Sequence, residues 1–293
     1  MAESLESLVV KGKQKMSSSH VVICALIRDG EEALKRNISR VDELAKFFKK
    51  CDVVIVENDS QDGTKEALKK WRSEHDFIHL IMQDFGSSTI PKKLPSAHPK
   101  AKYFGFLRIE KMAKYRNLYM DYIAAHLSPD YVMMIDLDIH DFKLDGVCSS
   151  FGYDNWHAIS AYGKKLTPRN IITPYYFDTY ALLEKGEKLP MRYPQMIKKQ
   201  KEYSSLKKGG ELVSVRSAFN GMCIYPWSAI ENIRYRATAN DDEIVSCLCE
   251  HVDFHLQMER NGFDQHFINP SMELLYEKAD LGFFIKKVKN RLF

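Results

Sequence analysis

Two apolar segments of strand length, joined by an amphipathic helix, constrain the fold of this chain more than any other feature. Residues 20–27 (HVVICALI) and 51–56 (CDVVIV) are almost continuously apolar, so neither shows the alternation of a strand with one face in water. Between them, apolar residues recur every three or four positions from Leu34 to Phe48, which predicts a helix. Strand, helix and strand in this order predict an α/β fold with a mostly parallel central sheet covered by helices on both faces.

A third apolar segment, residues 131–135, runs directly into Asp136 and Asp138. The pattern predicts a buried strand that ends at the rim of the sheet with two carboxylates. Mg²⁺ and Mn²⁺ need only one or two protein carboxylates and take their other ligands from phosphate and water. An Asp-x-Asp pair also occurs where a strand simply ends in an acidic turn. A divalent metal site is therefore one of two interpretations, and the rest of the chain must decide between them.

The composition excludes several classes of protein. The 43 basic and 39 acidic residues give a net charge of only +4, which does not indicate nucleic acid as the main partner. The six cysteines form no Cys-x-x-Cys pair and lie mostly in apolar segments, as the reduced thiols of a cytosolic protein do. No apolar run reaches 18 residues, and the first 19 residues have no apolar centre. We therefore expect neither a membrane span nor a secretory signal, and a cytoplasmic location.

Three segments differ in character from the rest of the chain. Residues 1–19 are polar and rich in Ser and Lys, and we expect them to be flexible. Residues 184–211 lose helical periodicity and are rich in lysine, which predicts a long basic loop. Residues 281–293 combine apolar and basic side chains. This amphipathic tail would either lie on an anionic membrane surface, making the protein membrane-peripheral, or pack on the body of the protein.

Charged residues follow the first two predicted strands. Arg28 comes directly after the first strand, and Glu57 and Asp59 follow the second. Open parallel sheets bind ligands at the carboxyl ends of their strands, so we expect these residues near the rim that carries Asp136. A carboxylate at the position of Glu57 can accept hydrogen bonds from a nucleotide base or a ribose. Arg116, on the predicted helix before the third strand, would contact a pyrophosphate, pair with Asp136 or remain solvated.

A predicted helix over residues 249–258 carries four further candidates. His251 and His255 are four positions apart and share a face, and Glu250 and Asp253 lie beside that face. Two histidines next to carboxylates can supply metal ligands or a general base. They can equally be ordinary surface residues, and the spacing alone does not decide between these roles.

In their order, these motifs resemble those of the GT-A glycosyltransferases, enzymes that use nucleotide sugars. Residues 56–64 (VENDSQDGT) are similar to the Val-Asp-Asp-Gly-Ser-x-Asp-Gly-Thr turn of the large inverting GT-A family. Arg116 and Asn117 resemble the Ala-Arg-Asn helix of that family, and residues 135–138 (IDLD) resemble its metal strand. The resemblance covers residues 20 to about 140. It implies a Rossmann-like GT-A fold in which Glu57 contacts the nucleoside.

The second half of the chain is similar to the fungal capsule-associated α-1,3-mannosyltransferases. Residues 177–182 (FDTYAL) resemble their Tyr-Asp-Thr-Phe-Ala-Leu segment, and residues 219–222 (FNGM) resemble their Trp-Asn-Gly-Met. The similarity makes Asp178 and Asn220 candidates for contact with the sugar and the acceptor. There are two departures. Those proteins are type II membrane proteins of the secretory pathway, and their metal strand more often lacks Asp-Leu-Asp.

The two resemblances together imply a single GT-A domain over residues 20–280. Residues 20–140 would form its nucleotide-binding half and residues 141–280 its acceptor half. Inverting GT-A enzymes place a Glu-Asp pair on a late helix, where the Asp deprotonates the acceptor hydroxyl, whereas this chain has Glu250 followed by His251. A retaining enzyme needs no such base, because the leaving phosphate can take the proton. The substitution therefore favours retention of configuration.

The resulting prediction is a metal-dependent glycosyltransferase that moves a hexose to a hydroxyl of a glycan or glycoconjugate acceptor. Mannose from GDP-mannose is favoured as the donor over a UDP-hexose. Asp138 would bind Mn²⁺ or Mg²⁺ directly, Asp136 directly or through water, and His255 or His251 would be a third ligand. The nucleotide sugar would be bound by Glu57, Asp59, Arg28, Arg116, Asp136 and Asn220, and the residues acting on the sugar and acceptor would be Glu250, His251, Asp253 and Asp178.

Other functions stay open at this point. An inverting enzyme would use a UDP-sugar with His251 or Asp253 as its base. A nucleotidylyltransferase also uses paired carboxylates on an α/β sheet, although residues 25–30 are a poor version of its glycine-rich loop. A two-metal phosphodiesterase would have more His and Asp at separate strand ends. A catalytically inactive carbohydrate-binding relative is the non-enzyme alternative.

Overall fold

The structure of the protein, a computed structural model, describes residues 3–91, 98–167 and 170–277, without the side chains of residues 167, 170–173 and 277. The helices of this part are α1 Leu5–Met16, α2 Glu31–Ala45, α3 Thr64–Glu74, α4 Phe106–His126, α5 Leu144–Gly152, α6 Tyr193–Glu202 and α7 Glu250–Arg260. Its strands are β1 His20–Ile27, β2 Lys50–Glu57, β3 Ile78–Met82, β4 Tyr131–Ile135, β5 Asp141–Phe142, β6 Ala158–Thr167, β7 Asn170–Tyr176, β8 Leu183–Glu184, β9 Val213–Ser217, β10 Met222–Pro226 and β11 His266–Glu277.

One mixed sheet runs through the described part of the molecule. Its strand order is β3-β2-β1-β4-β10-β6-β11-β9-β8, with β7 paired to β6 and β5 paired to β11. The first four strands are parallel. β10 then runs antiparallel between β4 and β6, and β6 and β11 are parallel to each other. The predicted α/β class and central sheet are confirmed, and the four adjacent parallel strands lie in the first half of the chain.

The register of the parallel strands brings their carboxyl ends to one rim. β1 and β2 pair without a shift, from His20 opposite Lys50 to Ile27 opposite Glu57. β4 pairs with β1 on the other side and ends at the same rim. The residues that follow these three strands therefore lie close together, as expected for a site at the open edge of a parallel sheet.

Both faces of the parallel strands are buried, which explains why the sequence shows no alternation. Val22 and Cys24 of β1 belong to an apolar cluster that includes residues of α4 and α7. Val21 and Ile23 point to the opposite face and join a second cluster with α2, α3 and α5. All four side chains are at most 1% exposed. A strand in this position has no solvent face and needs no polar residues along its length.

The N-terminal segment is helical, so the expectation of a flexible residue range 1–19 is corrected for its described part. α1 is capped by Ser4, whose side chain accepts a hydrogen bond from the Ser7 amide. Two of its apolar residues, Leu8 and Met16, are buried, and it packs on α5. At Gly12 an added Cβ would lie 1.8 Å from the carbonyl oxygen of Cys148, so the helices approach closely only because this residue is glycine.

The basic segment predicted as a loop contains α6. Lys199 of this helix is buried, donates a hydrogen bond of 3.2 Å to the carbonyl of Leu182 and pairs with Glu187. The prediction missed the helix because its buried residues are few, Met196 and Lys199, and one of them is charged. Most of the other lysines in the segment remain exposed, as a solvated charge run does.

Two further expectations concern membranes and thiols. Within the described ranges, no helix has both the length and the apolar character needed to cross a membrane. The basic tail at residues 281–293 lies outside the described residues. All six cysteines are free, and five of them are buried.

Candidate functional site

A cavity of about 260 Å³ opens at the rim where the parallel strands end. It lies between this rim, the N-terminal half of α4, the turn after β7, the start of α7 and the end of β11. Its lining combines charged and aromatic side chains, which suits a ligand with a polar and a ring-shaped part. Its charged and histidine side chains are Arg28, Arg108, Arg116, Asp136, Asp138, Asp178, Glu250 and His251, and its aromatic ones are Tyr115, Phe177, Tyr180, Phe219 and Tyr276.

Arg116 lies at the centre of the charged group. It projects from α4 and is 4% exposed, with its Nε 3.1 Å from a Glu250 carboxylate oxygen and its Nη2 3.7 Å from Asp136 Oδ1. Its guanidinium also lies over the Phe219 ring at 5.1 Å. One buried cation is thus shared by two carboxylates from distant parts of the chain. Pairing with Asp136 was one of the three roles considered for this residue.

Asp136 and Asp138 lie at the end of β4 and face the cavity. Burial raises the pKa of Asp136, and the neighbouring Asp138 and Asp178 raise it further although Arg116 opposes them. Burial also raises the pKa of Asp138. The two neighbouring carboxylates repel each other, and a bound cation would relieve that repulsion. The pair therefore fits a divalent metal ion.

The loop that carries these aspartates is fixed by backbone contacts. The Asp136 amide donates to the carbonyl of Gly221 at 2.8 Å. From α2, the buried Asn37 side chain donates to the carbonyls of Leu137 at 3.0 Å and Ile139 at 2.8 Å. These two hydrogen bonds bracket Asp138. The direction of its carboxylate therefore depends on a helix that does not itself line the cavity.

No group of three or more His, Cys, Asp or Glu side chains forms a complete metal site in the described part of the chain. Mg²⁺ and Mn²⁺ do not require one, because phosphate oxygens and water complete their octahedral coordination. The two aspartates are consequently a sufficient protein contribution when a diphosphate is bound beside them.

His255 does not lie at the cavity, which corrects its proposed role as third metal ligand. Its Nδ1 is hydrogen-bonded to Ser217 Oγ at 2.9 Å and its Nε2 to Tyr225 Oη at 3.1 Å. Burial lowers the pKa of His255 well below its usual value, and the nearby His266 lowers it further. Both ring nitrogens are occupied inside the core, so neither is available to a metal ion.

Of the two bases considered on α7, only His251 reaches the cavity. The carboxylate of Asp253 instead accepts hydrogen bonds from Thr238 at 2.8 Å and from Gln257 at 2.7 Å, and lies 3.3 Å from Arg236 Nε. These contacts of the Asp253 carboxylate hold the segment before α7 in place. Asp253 is therefore not placed to act as a base on a ligand in the cavity.

His251 is packed as an aromatic ring rather than exposed as a base. Its ring stacks on Phe219, with centroids 3.7 Å apart and planes inclined by 12°. Burial lowers the pKa of His251 well below its usual value, and Arg116 lowers it further. Its Nε2 is buried and has no hydrogen-bond partner among the described residues. A neutral imidazole of low pKa is a weak base near pH 7.

Asp178 lines the cavity and has no ion-pair partner at bonding distance among the described residues. It follows β7 in a turn with φ 79°, a region that a non-glycine residue seldom adopts. Its carboxylate accepts one long hydrogen bond, 3.4 Å, from the Ala181 amide. Burial raises the pKa of Asp178 to about 6, and the charge of Glu250 contributes to the rise. Asp178 is thus mostly ionised at pH 7.

Asn220 lies below the cavity wall, in the tight turn before β10. Its backbone has φ 60° and its side chain donates to the carbonyl of Ala161 at 2.6 Å. It is fully buried, and its Oδ1 has no hydrogen-bond partner within the described ranges. The hydrogen bond of Asn220 to Ala161 stabilises the turn, and direct contact of Asn220 with a sugar stays a prediction.

The residues predicted to bind the nucleotide lie at the carboxyl ends of β1 and β2. Glu57 is buried and accepts a hydrogen bond from the Ser60 amide at 2.9 Å, whereas its Oε2 has no partner in the part of the chain described. Asp59 accepts from the Gly86 amide at 2.7 Å and so ties the turn after β2 to the segment after β3. Arg28 and Asn58 line the cavity itself. Asn58 was not among the predicted residues, although it lies next to Glu57.

Sequence reasoning missed most of the aromatic wall and Arg108. On α4, Arg108, Met112, Tyr115 and Arg116 share a face at spacings of four, three and one, a signal that the helical period contained. Tyr276, near the end of β11, has no comparable signal. It reaches the cavity because β11 crosses the sheet beside β6, a pairing that only the fold reveals.

The family described as Cryptococcal mannosyltransferase 1 matches residues 20–254 of the chain. No curated protein matches this chain.

Two solved structures are similar in fold to most of this chain. Mannosyltransferase PcManGT from Pyrobaculum calidifontis, in complex with GDP-Man and Mn²⁺, is 10% identical with a TM-score of 0.51, over 98% of this chain and 68% of its own. S. aureus TarS 1-349 in complex with UDP is 12% identical with a TM-score of 0.50, over 91% of this chain and 62% of its own. At these identities the likeness shows the fold alone, and that fold is GT-A.

Proposed function

The chain belongs to the family described as Cryptococcal mannosyltransferase 1, and from this premise we propose that it transfers a mannosyl group from GDP-mannose to a hydroxyl of a glycan. Membership of the family makes it a glycosyltransferase enzyme. The observation that best supports the proposal is the grouping of Asp136, Asp138 and Arg116 at one end of the cavity, with Asp178 and Glu250 beside them. Such a site has the charges to hold a diphosphate and to stabilise a sugar cation.

The donor diphosphate would bind at the end of β4. Asp138 and Asp136 would hold Mn²⁺ or Mg²⁺, which when bound neutralises charge on the departing diphosphate. Arg28 and Arg108 are further cationic side chains of the cavity and suit the phosphate oxygens. The nucleoside would lie toward Asn58 and Tyr115, at the ends of the parallel strands.

We infer that the reaction retains the anomeric configuration. Of the two bases considered on α7, Asp253 is bound elsewhere and His251 has a strongly lowered pKa. In the proposed step the acceptor oxygen forms its bond to the anomeric carbon as the bond from that carbon to the phosphate oxygen breaks on the same face. The acceptor proton passes to that phosphate oxygen, so the protein supplies no base.

Asp178 would stabilise the positive charge that develops on the sugar ring. Its carboxylate lines the cavity and has no ionic partner at bonding distance among the described residues, whereas Glu250 is paired with Arg116. An unpaired carboxylate away from bulk water stabilises a cation more strongly than one in water does. Replacement by Asn should lower kcat about 100-fold while the donor still binds.

Donor hydrolysis is the direct test of this function. The purified protein is incubated with GDP-mannose, UDP-glucose, UDP-galactose and UDP-N-acetylglucosamine, each with and without Mn²⁺, and release of the nucleoside diphosphate is measured. We expect Mn²⁺-dependent release from GDP-mannose, abolished in Asp138→Ala. Release from none of the donors, or at the wild-type rate in Asp138→Ala, would refute the proposal.

The configuration of the released or transferred mannose is then read by NMR at early times. The α-anomer supports retention. The β-anomer would show inversion, with Asp178 as the base, since a carboxylate with a pKa of about 6 can accept a proton at neutral pH.

A further inference from the structure

A stacked pair of aromatic rings in the cavity wall has no part in the chemistry described so far. Phe177 and Tyr276 lie with ring centroids 3.8 Å apart and planes inclined by 21°. Both line the cavity and both remain partly exposed. They come from the turn after β7 and from the end of β11, so the fold brings them together across about 100 residues of chain.

The pair lies between the two groups that define the reaction centre. The Tyr276 hydroxyl donates a hydrogen bond of 3.4 Å to Asp138 Oδ2, on the side of the metal-binding aspartates. Phe177 directly precedes Asp178, the carboxylate proposed to face the sugar cation. A molecule resting on these rings is therefore adjacent both to the proposed diphosphate site and to the carboxylate proposed to face the sugar.

The ammonium of Lys165 lies beside the edges of the two stacked rings and not above the outward-facing plane of either ring. Its ammonium is 5.9 Å from the Phe177 centroid and 5.7 Å from the Tyr276 centroid. Because the centroids are 3.8 Å apart, an ammonium above an outer face would be much closer to one ring than to the other. Nearly equal distances place the cation beside the stack, where it can donate hydrogen bonds to the rim of a ligand.

We propose that the Phe177–Tyr276 pair is the acceptor subsite and binds one pyranose ring of a glycan. A pyranose has an apolar face formed by its axial C–H bonds, and this face packs well against an aromatic ring, while the hydroxyls at its edge need polar partners. Lys165 supplies such a partner. The inference rests on the proposed function and adds to it the place and the chemistry of acceptor recognition.

The test separates acceptor binding from donor use. Phe177→Leu removes the aromatic face but keeps an apolar side chain, Phe177→Tyr keeps the ring, and Phe263→Leu is the control, an aromatic residue outside the cavity that packs on His157. The acceptors are the methyl α-pyranosides of mannose, glucose, galactose and xylose. Transfer is measured by mass spectrometry, and saturation-transfer NMR reports direct binding of each glycoside in the presence of GDP and the diamagnetic Mg²⁺.

We expect Phe177→Leu to raise the KM for the acceptor at least tenfold, and to abolish saturation transfer to the sugar C–H protons. The KM for GDP-mannose and the rate of its hydrolysis should change much less than the KM for the acceptor, because the donor contacts of the aspartates and arginines are kept. Phe177→Tyr and Phe263→Leu should behave as wild type. Equal losses for donor and acceptor in Phe177→Leu, an unchanged acceptor KM, or failure of the wild-type protein to bind any of the glycosides would each overturn the inference. Absence of donor hydrolysis in the wild-type protein would instead refute the proposed function, because the NMR experiment needs GDP and a metal ion but no turnover of the donor.

Discussion

At the scale of single residues, the charge balance of the cavity depends on Arg116. It pairs with Glu250 and Asp136 while being 4% exposed itself. We expect Arg116→Met to reduce the free energy of unfolding by about 3–5 kcal/mol, because it leaves two carboxylates without their shared cation. Urea denaturation measures the effect. The exposed Arg36 on α2 is the matched control, and Arg36→Met should change stability by no more than about 0.5 kcal/mol. Equal stabilities of the two variants would show that the buried ion pairs contribute little.

The ionisation of Asp178 should determine the acidic limb of the pH–rate profile. Its carboxyl must be ionised to stabilise the sugar cation, and its pKa is raised to about 6. The rate should therefore fall about tenfold per pH unit below pH 6. A pH profile of GDP-mannose hydrolysis between pH 4.5 and 8 tests this. A rate that is flat down to pH 5 would exclude Asp178 as the ionised group.

The same pKa predicts how stability depends on pH. The folded protein binds the Asp178 proton more tightly than the unfolded chain, whose Asp pKa is about 3.9. This residue therefore costs no stability below about pH 4, and its cost grows as the pH rises toward 6. Asp178→Asn should be more stable relative to wild type at pH 7 than at pH 4. Thermal unfolding at both values tests the sign, with Asp121→Asn on the surface as the control.

Sequence reasoning identified the central carboxylates and the arginine but not all their companions. Asp136, Asp138 and Arg116 follow from strand ends and a helix, because the carboxyl ends of parallel strands must meet. Asp253 and His255 were assigned to the site wrongly, since helical spacing shows which residues share a face but not what that face meets. Their partners come from residues far away in sequence, such as Thr238 and Ser217.

At the scale of secondary-structure elements, α2 acts as a support for the aspartate loop. Asn37 donates two hydrogen bonds to the backbone on either side of Asp138. We expect Asn37→Ala to weaken Mn²⁺ binding about tenfold, because the loop loses the contacts that fix the carboxylate. The EPR signal of free Mn²⁺, titrated in the presence of GDP, measures the affinity without any turnover. Asn232→Ala, at an exposed position, should bind Mn²⁺ as wild type does, and an unchanged affinity in Asn37→Ala would mean that the loop is rigid without its support.

The contact between α1 and α5 depends on glycine. An added Cβ at Gly12 would meet the Cys148 carbonyl oxygen at 1.8 Å, which forces the helices apart. We expect Gly12→Ala to destabilise the protein by about 1–3 kcal/mol, although alanine is the better helix former. Gln14→Ala on the exposed face of the same helix should be neutral or slightly stabilising. Differential scanning calorimetry distinguishes the two, and a stabilised Gly12→Ala would mean that α1 does not pack as described.

The elements that sequence reasoning missed share a physical cause. The strands β1, β2 and β4 were predicted because burial on both faces leaves an uninterrupted apolar run. α1 and α6 bury few of their residues, and α5 is only nine residues long. α5 carries two glycines, and α6 buries a lysine. These helices are stabilised by contacts with the rest of the fold, so no local sequence pattern predicts them.

At the scale of the whole molecule, the cavity forms where two kinds of sheet meet. The parallel strands supply the rim and the aspartates, and the second half of the chain supplies Asp178 and all the aromatic residues of the cavity except Tyr115. The parallel half was predictable because each strand and its helix are close in sequence. The mixed half was not, since β10 enters between β4 and β6 and β11 pairs with β5, β6 and β9.

The position of β10 also decides how this chain can be divided. Residues 222–226 fill the edge of β4, which ends some 90 positions earlier. A fragment that stops near residue 140 would leave β4 with a row of unsatisfied amides and carbonyls along an apolar strand, and such an edge recruits other chains. Expressed alone, the first half should therefore aggregate, and it should recover a monomeric state only when the second half is supplied to complete the sheet.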